Sequence, residues 1–176
     1  MKKNVKKIQL LAVMIIMAIL VLPLTVNAQG SKANFGGTWT LNAAKSNFGT
    51  PPGDGQGRGQ RMGGGNFVAK QEASLLTVER TRTNQSGESS TITSKYTLDG
   101  KESVNSSGRG ENKSVAKWSA DGKSLTITTT MSFNSNTFTS TEVWSLTSPN
   151  TLSIVRTSPG RDGGPERKTT AVYDKK

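Results

Sequence analysis

Apolar and polar side chains alternate one by one along most of this 176-residue chain. The Leu125–Phe133 segment places its large apolar residues on one face, and every position on the other face is Thr or Ser. Alternation with a period of two is typical of a β-strand with one buried face. The pattern recurs from Gly37–Asn42 to Arg167–Asp174. It predicts about nine strands and no convincing helix.

Short turns separate these strands. Asp99-Gly100 and Asp121-Gly122 are strong two-residue hairpin signals. The stretches "KWSADGKSLTIT" and "VWSLTSPNTLSIV" share a Trp-Ser pair, a turn and an apolar strand, so they look like repeated hairpins. We therefore predict an all-β, antiparallel up-and-down meander barrel of about eight to nine strands, whose closure removes exposed edges. The alternative is a two-sheet β-sandwich.

The first 28 residues have a different pattern. Four lysines precede an apolar run, Leu10–Leu22, which Pro23 ends and small residues up to Ala28 follow. This arrangement predicts a signal peptide, residues 1–28, cut after Ala28, because the run is shorter than the ~20 residues of a membrane span. The mature protein is then secreted or periplasmic and has no transmembrane span. The alternative is a signal anchor that stays in the membrane.

The mature part divides simply. Residues 29–34 are predicted to be a short N-terminal tail, and residues 35–176 a single domain. Inside that domain, residues 49–66 contain eight glycines and two prolines. Such a segment buries too little surface to offset its chain entropy, so we predict a mobile loop.

Composition narrows the chemistry. The chain contains no Cys and no His, which excludes disulfides, thiol nucleophiles, His-dependent triads and zinc sites built from Cys or His. We therefore predict a protein that is not an enzyme and that holds no metal or cofactor. Removing the leader lowers the net charge from +11 to +7. The positive charge that remains favours weak contact with anionic envelope surfaces. We predict no specific nucleic-acid partner.

Several short motifs carry a resemblance to a known family. Gly37-Thr38-Trp39 matches the Gly-x-Trp signature of the first strand in lipocalin-like (calycin) barrels, and "YTLDGK", "AKWSADGKSLTI" and "AVYDK" follow in order. The chain thus resembles small secreted bacterial lipocalin-like domains, although it lacks their Thr-Asp-Tyr triplet. The resemblance implies that Trp39 closes one end of the barrel and that Arg156 is its cation–π partner.

The alternation also predicts inward-facing charges. Glu142 shares a face with apolar neighbours, as do Arg80 and Arg82, and a buried charge is costly unless it is paired. One hypothesis is an anchor for a ligand carboxylate, in which Arg80, Arg82 and Tyr96 reach the head group. The alternative is a structural ion pair between Glu142 and an arginine.

Four large side chains are candidates for the wall of an apolar cavity: Trp118, Met131, Phe133 and Trp144. They could equally fill a solid core, because a small barrel is just wide enough for side chains. Together these features predict a non-catalytic module that binds a small apolar or amphipathic, lipophilic molecule. The alternative is a structural or interaction barrel of the cell envelope.

Overall fold

A computed structural model describes residues 31–49, 65–83, 87–106, 110–133, 136–160 and 164–176, without the side chains of residues 82, 83 and 133. The predicted leader and most of the predicted glycine-rich loop lie outside the described residues.

Within this part of the chain, ten strands form one antiparallel sheet. They are β1 (Gly37–Leu41), β2 (Phe67–Gln71), β3 (Leu75–Thr83), β4 (Ser89–Thr97), β5 (Glu102–Ser106), β6 (Glu111–Trp118), β7 (Ser124–Phe133), β8 (Asn136–Ser148), β9 (Thr151–Ser158) and β10 (Arg167–Lys175). A 3-10 turn, Ala43–Lys45, follows β1. The pairing of β1 with β10 joins the two ends of the domain into one sheet, and the edge strands β4 and β5 lie side by side, so the sheet forms a nearly closed barrel.

The predicted up-and-down, all-β architecture is confirmed. The strands number ten rather than eight to nine, since even the five-residue strands β1, β2 and β5 pair in register. Both Asp-Gly turns form, with positive φ at Gly100 (83°) and Gly122 (69°). A residue with a side chain at either position would have to adopt this left-handed backbone conformation, which L residues rarely do. Asp121-Gly122 lies in the hairpin turn between β6 and β7 as predicted, but the hairpin predicted at Asp99-Gly100 is wrong, because β4 and β5 share no backbone ladder within the residues described.

The hairpin turns define two ends of the barrel. The base carries the turns between β2 and β3, β4 and β5, β6 and β7, and β8 and β9, and we call the opposite end of the strands the mouth. The core consists of side chains that expose at most 7% of their surface: Phe35, Trp39, Phe67, Ala69, Leu76, Val78, Leu98, Ala116, Leu125, Ile127, Trp144, Leu152, Ile154, Ala171 and Tyr173. Burial of this apolar set is the main source of stability.

Residues 33–36, which we call the N-terminal strap, extend the core beyond the sheet. The Ala33 amide donates to the carbonyl of Gly122 (2.9 Å), in the turn between β6 and β7. The Gln71 side chain bonds both to the Ala33 carbonyl and to the Phe35 amide, each at 2.9 Å. Trp39 Nε1 donates to the Phe35 carbonyl at 2.8 Å. The strap therefore ties β1, β2 and the β6–β7 turn together.

Strands β4 and β5, neighbours in sequence, lie at opposite edges of the sheet and share no backbone register in the described residues. Side chains of β5 join them instead. Asn105 Oδ1 accepts from the Lys95 amide (2.7 Å), and Asn105 Nδ2 donates to the Lys95 carbonyl (3.0 Å). Ser103 Oγ accepts from the Thr97 amide at 2.9 Å. We call this junction the β4–β5 seam.

Candidate functional site

Three aromatic rings meet inside the barrel and form what we call the aromatic cluster: Phe67, Trp144 and Tyr173. The Phe67 ring lies 5.5 Å from Trp144 and 4.9 Å from Tyr173, the latter edge-on at 76°. Each residue exposes 2% of its surface or less. Edge-to-face contacts of this kind are the favoured geometry for aromatic pairs. The cluster gives the interior a rigid apolar surface.

Against these rings lies what we call the polar cluster: Arg80, Tyr96, Glu142 and Arg156. The Arg80 guanidinium carbon stands 5.1 Å from the centre of the Phe67 ring, a cation–π distance. Arg80 is also close enough to Tyr96 to lower the pKa of its hydroxyl. β3 positions Arg80 here because Val78 and Leu76, two and four residues earlier, occupy the same inward face.

Burial and charge both act on the two tyrosines. Burial is the largest cause that raises the Tyr96 pKa, the charge of Glu142 adds to it, and Arg80 opposes it. Burial likewise raises the pKa of Tyr173 to about 12. Both phenols therefore stay protonated at neutral pH, so each retains an O–H group that can donate a hydrogen bond.

Glu142 is tied to its neighbours on both sides. Trp144 Nε1 donates to Glu142 Oε2 at 3.1 Å, and Arg156 Nη1 lies 3.8 Å from Glu142 Oε1. Arg156 faces Glu142 directly across the β8–β9 ladder and also donates to Ser140 Oγ at 3.4 Å. The side chains of Arg156 and Glu142 expose 41% and 24% of their surface, so water screens the pair and its contribution to stability is small.

Cations exceed acids among these inward-facing groups. Arg80 and Arg156 stand against the single carboxylate of Glu142, and Arg167 shares the inward alternation of β10. Two guanidiniums and one carboxylate leave a net positive charge within the polar cluster. A partly desolvated positive site attracts an anion more strongly than the same charges would in water.

The structure brings four of the predicted site residues together: Arg80, Tyr96, Glu142 and Trp144. Met131 is half-buried two rows nearer the mouth than Glu142. Trp118 lies in the same register row as Trp144, with Leu125 between them. Its ring stacks on Phe35 at 5.7 Å, and Phe35 in turn meets Trp144 edge-on at 5.8 Å, while the Lys32 ammonium group lies 5.6 Å from the centre of the Trp118 ring. The side chains of Arg82 and Phe133 lie outside the described residues.

One predicted pairing differs in the structure. Trp39 is fully buried, but the cation over its ring is Lys175, at 5.5 Å, and not Arg156. The register explains the difference, because Lys175 is the direct partner of Trp39 across the β1–β10 ladder. The register neighbours of Arg156 are Glu142 and Thr169.

Sequence reasoning missed Phe67 and Tyr173 as members of the site. Their alternation with Ala69 and Ala171 marks both residues as inward-facing. The alternation does not show that β1 pairs with both β2 and β10. That pairing brings residues from the two ends of the domain into contact.

Two further features, metal sites and membrane-spanning helices, concern the described ranges only. No group of three or more His, Cys, Asp or Glu side chains there is arranged to hold a metal ion. Over the same residues, no helix is both long enough and apolar enough to cross a membrane.

Comparisons with known proteins bear on the fold. No family model matches the chain, and no curated protein matches it significantly. Among solved structures, a mutant of the fluorescent protein UnaG superposes with a TM-score of 0.51 over 81% of this chain and 96% of that one, at 18% identity. At this identity the likeness shows the fold alone. It supports a calycin-type barrel.

Proposed function

We propose that this protein is a non-catalytic binding protein that holds a small amphipathic molecule inside its barrel. The observation that carries the proposal is the polar cluster, a partly accessible group with excess positive charge, lying directly against the aromatic cluster. In a calycin-type barrel, a partly accessible charged group held above a filled aromatic core can anchor the head group of such a molecule.

The two clusters suggest how binding works. An anionic head group accepts hydrogen bonds from Arg80 and from the Tyr96 hydroxyl, while the apolar part lies against the half-buried side chains of Ile92 and Met131. Charge-assisted hydrogen bonds are roughly twice as strong as neutral ones, and their fixed geometry orients the ligand. Arg156 adds positive charge, and Glu142 holds Arg156 in place from the neighbouring strand.

Titration of residues 29–176 with octanoate, followed by tryptophan fluorescence and calorimetry, tests the proposal. The fluorescence is expected to change because Trp144 donates to a member of the polar cluster. Arg80→Gln is expected to weaken binding about tenfold or more, since a hydrogen bond to a charged group contributes about 1.5–3 kcal/mol. Lys101→Gln, which removes the same charge at an exposed turn of the base, is the matched control. Equal affinities for the two variants would remove Arg80 from the site.

The proposal also includes the cell compartment. We infer that the chain is exported and that its first 28 residues are removed, because their pattern of lysines, apolar run and small residues is that of a signal peptide. Expression of the full chain in a bacterium, followed by mass spectrometry of the exported protein, is expected to find an N-terminus at Gln29. An exported protein that retains Met1 would contradict this inference.

A further inference from the structure

The base half of the barrel is already filled. Trp39, Leu76, Leu125 and Leu152 expose none of their surface, and Ile127 exposes 1%. Side chains buried to this degree leave no water-sized space against them. A ligand within the barrel is therefore confined to the mouth half, where inward-facing residues are half-buried.

A row of hydroxyl groups crosses that half. Ser114, Thr129 and Ser140 face one another in register across β6, β7 and β8, one step nearer the mouth than Glu142. We call these three residues the hydroxyl row. Ser114 is buried, and Thr129 and Ser140 are half-buried. A binding site for an acyl chain would be expected to carry aliphatic side chains at these three positions.

Hydrogen bonds fix the orientation of the row. The Ser114 and Thr129 hydroxyls lie 2.9 Å apart and share one hydrogen bond. Ser140 Oγ accepts from Arg156, so its own O–H group remains a donor. The row thus presents aligned polar groups beside the guanidinium of Arg156.

The mouth half is also short. From Glu142 to Phe138, which is 47% exposed at the mouth, β8 advances four residues, or roughly 13 Å along the strand. In this half of the barrel, half-buried Ile92 and Met131 supply limited apolar contact. This length is too short to enclose a long acyl chain, so the polar lining decides between a short chain and a ring that carries hydroxyl groups.

We propose, building on the proposed function, that the ligand is a compact hydroxylated carboxylic acid the size of one sugar ring. Its carboxylate pairs with Arg80 and Arg156, and its hydroxyl groups bond to Thr129 and Ser140, the two half-buried members of the hydroxyl row. Long-chain fatty acids are poor ligands, because the base has no room for their methylene groups.

Matched acids test this proposal by calorimetry at pH 7. D-Glucuronate and cyclohexanecarboxylate share a six-membered ring and a carboxylate, but only the first carries hydroxyls. We expect D-glucuronate to bind at least tenfold more tightly. Octanoate, decanoate and dodecanoate are expected to bind with affinities within about threefold of one another.

A deep apolar site would give a different series. Each buried methylene would strengthen binding about fourfold, so dodecanoate would exceed octanoate about 250-fold. That result, or tighter binding of cyclohexanecarboxylate than of D-glucuronate, would overturn the compact, hydroxylated ligand and leave the proposed function standing. If none of the five acids binds, the proposed function fails, and this inference fails with it.

A pair of variants tests the row itself. Thr129→Val removes the hydroxyl and keeps the shape, and it is expected to weaken D-glucuronate binding about two- to tenfold while leaving octanoate binding unchanged. Thr130→Val, the next residue, alters the outer face, where Thr130 contacts Thr139 at 3.3 Å, and is the control. Equal D-glucuronate affinities for the two variants, or equal losses for both acids, would remove the row from the site.

Discussion

Alkaline pH is expected to weaken the fold through Tyr173. This residue exposes 1% of its surface, and its ring packs edge-on against Phe67. Burial is the largest cause that raises its pKa to about 12; the charge of Arg80 opposes the rise, and that of Glu142 adds to it. In the unfolded chain the same phenol titrates near 10.

The sign of the effect follows from proton binding. Between pH 10 and 12 the unfolded chain loses the Tyr173 proton while the folded chain keeps it, so the free energy of unfolding falls as the pH rises. The stabilisation is fully present below pH 10 and is lost towards pH 12. A pKa difference of about two units corresponds to about 2–3 kcal/mol.

Urea unfolding followed by far-UV circular dichroism, at pH values from 9 to 12, measures this loss. Lysines titrate in the same range, so the informative quantity is the difference between the wild type and Tyr173→Phe. That difference is expected to shift by about 2–3 kcal/mol in favour of the variant as the pH rises. Tyr96→Phe leaves one tyrosine in the chain. A tyrosinate absorbance midpoint near 10 in this folded variant would refute the reasoning.

Two further predictions concern stability, measured by urea unfolding at neutral pH. Asn105→Ala removes both hydrogen bonds to Lys95 in the β4–β5 seam and is expected to lower the free energy of unfolding by about 1–3 kcal/mol. Ser106→Ala, at an exposed position, is its control. Equal losses for the two variants would mean that the seam adds no stability. Phe35→Ala is expected to cost about 3–5 kcal/mol because its ring belongs to the buried core. Phe138→Ala, at the 47% exposed position, is expected to cost about 0.5 kcal/mol or less, and the opposite ranking would show that the strap is not part of the core.

The strands could be predicted from the sequence because alternation is a local property. The segment predicted as Leu125–Phe133 is observed as Ser124–Phe133. A turn at Asp-Gly is likewise a local feature, because two adjacent residues are enough to predict it. Inward positions such as Arg80 and Glu142 follow from the same alternation, which is why much of the polar cluster could be predicted.

Contacts between distant strands could not be predicted in this way. The assignment of Arg156 to Trp39 failed because alternation gives the face of a side chain and not its partner across the sheet. The strap was equally hidden, since Ala33 bonds through its backbone and leaves no side-chain pattern. Signal cleavage, the absence of catalysis and weak contact with anionic envelope surfaces stay predictions.

Because β4 and β5 are joined by side chains and not by a backbone ladder, this barrel is a linear ten-strand sheet whose two edges meet at the β4–β5 seam. A cut in the turn around Gly100 would interrupt no backbone ladder, because β4 and β5 share none. The two resulting pieces, one with β1–β4 and the other with β5–β10, would still be joined along β1 and β10. The fold therefore contains its own division point for a split protein, whose halves could report on the proximity of two fused partners.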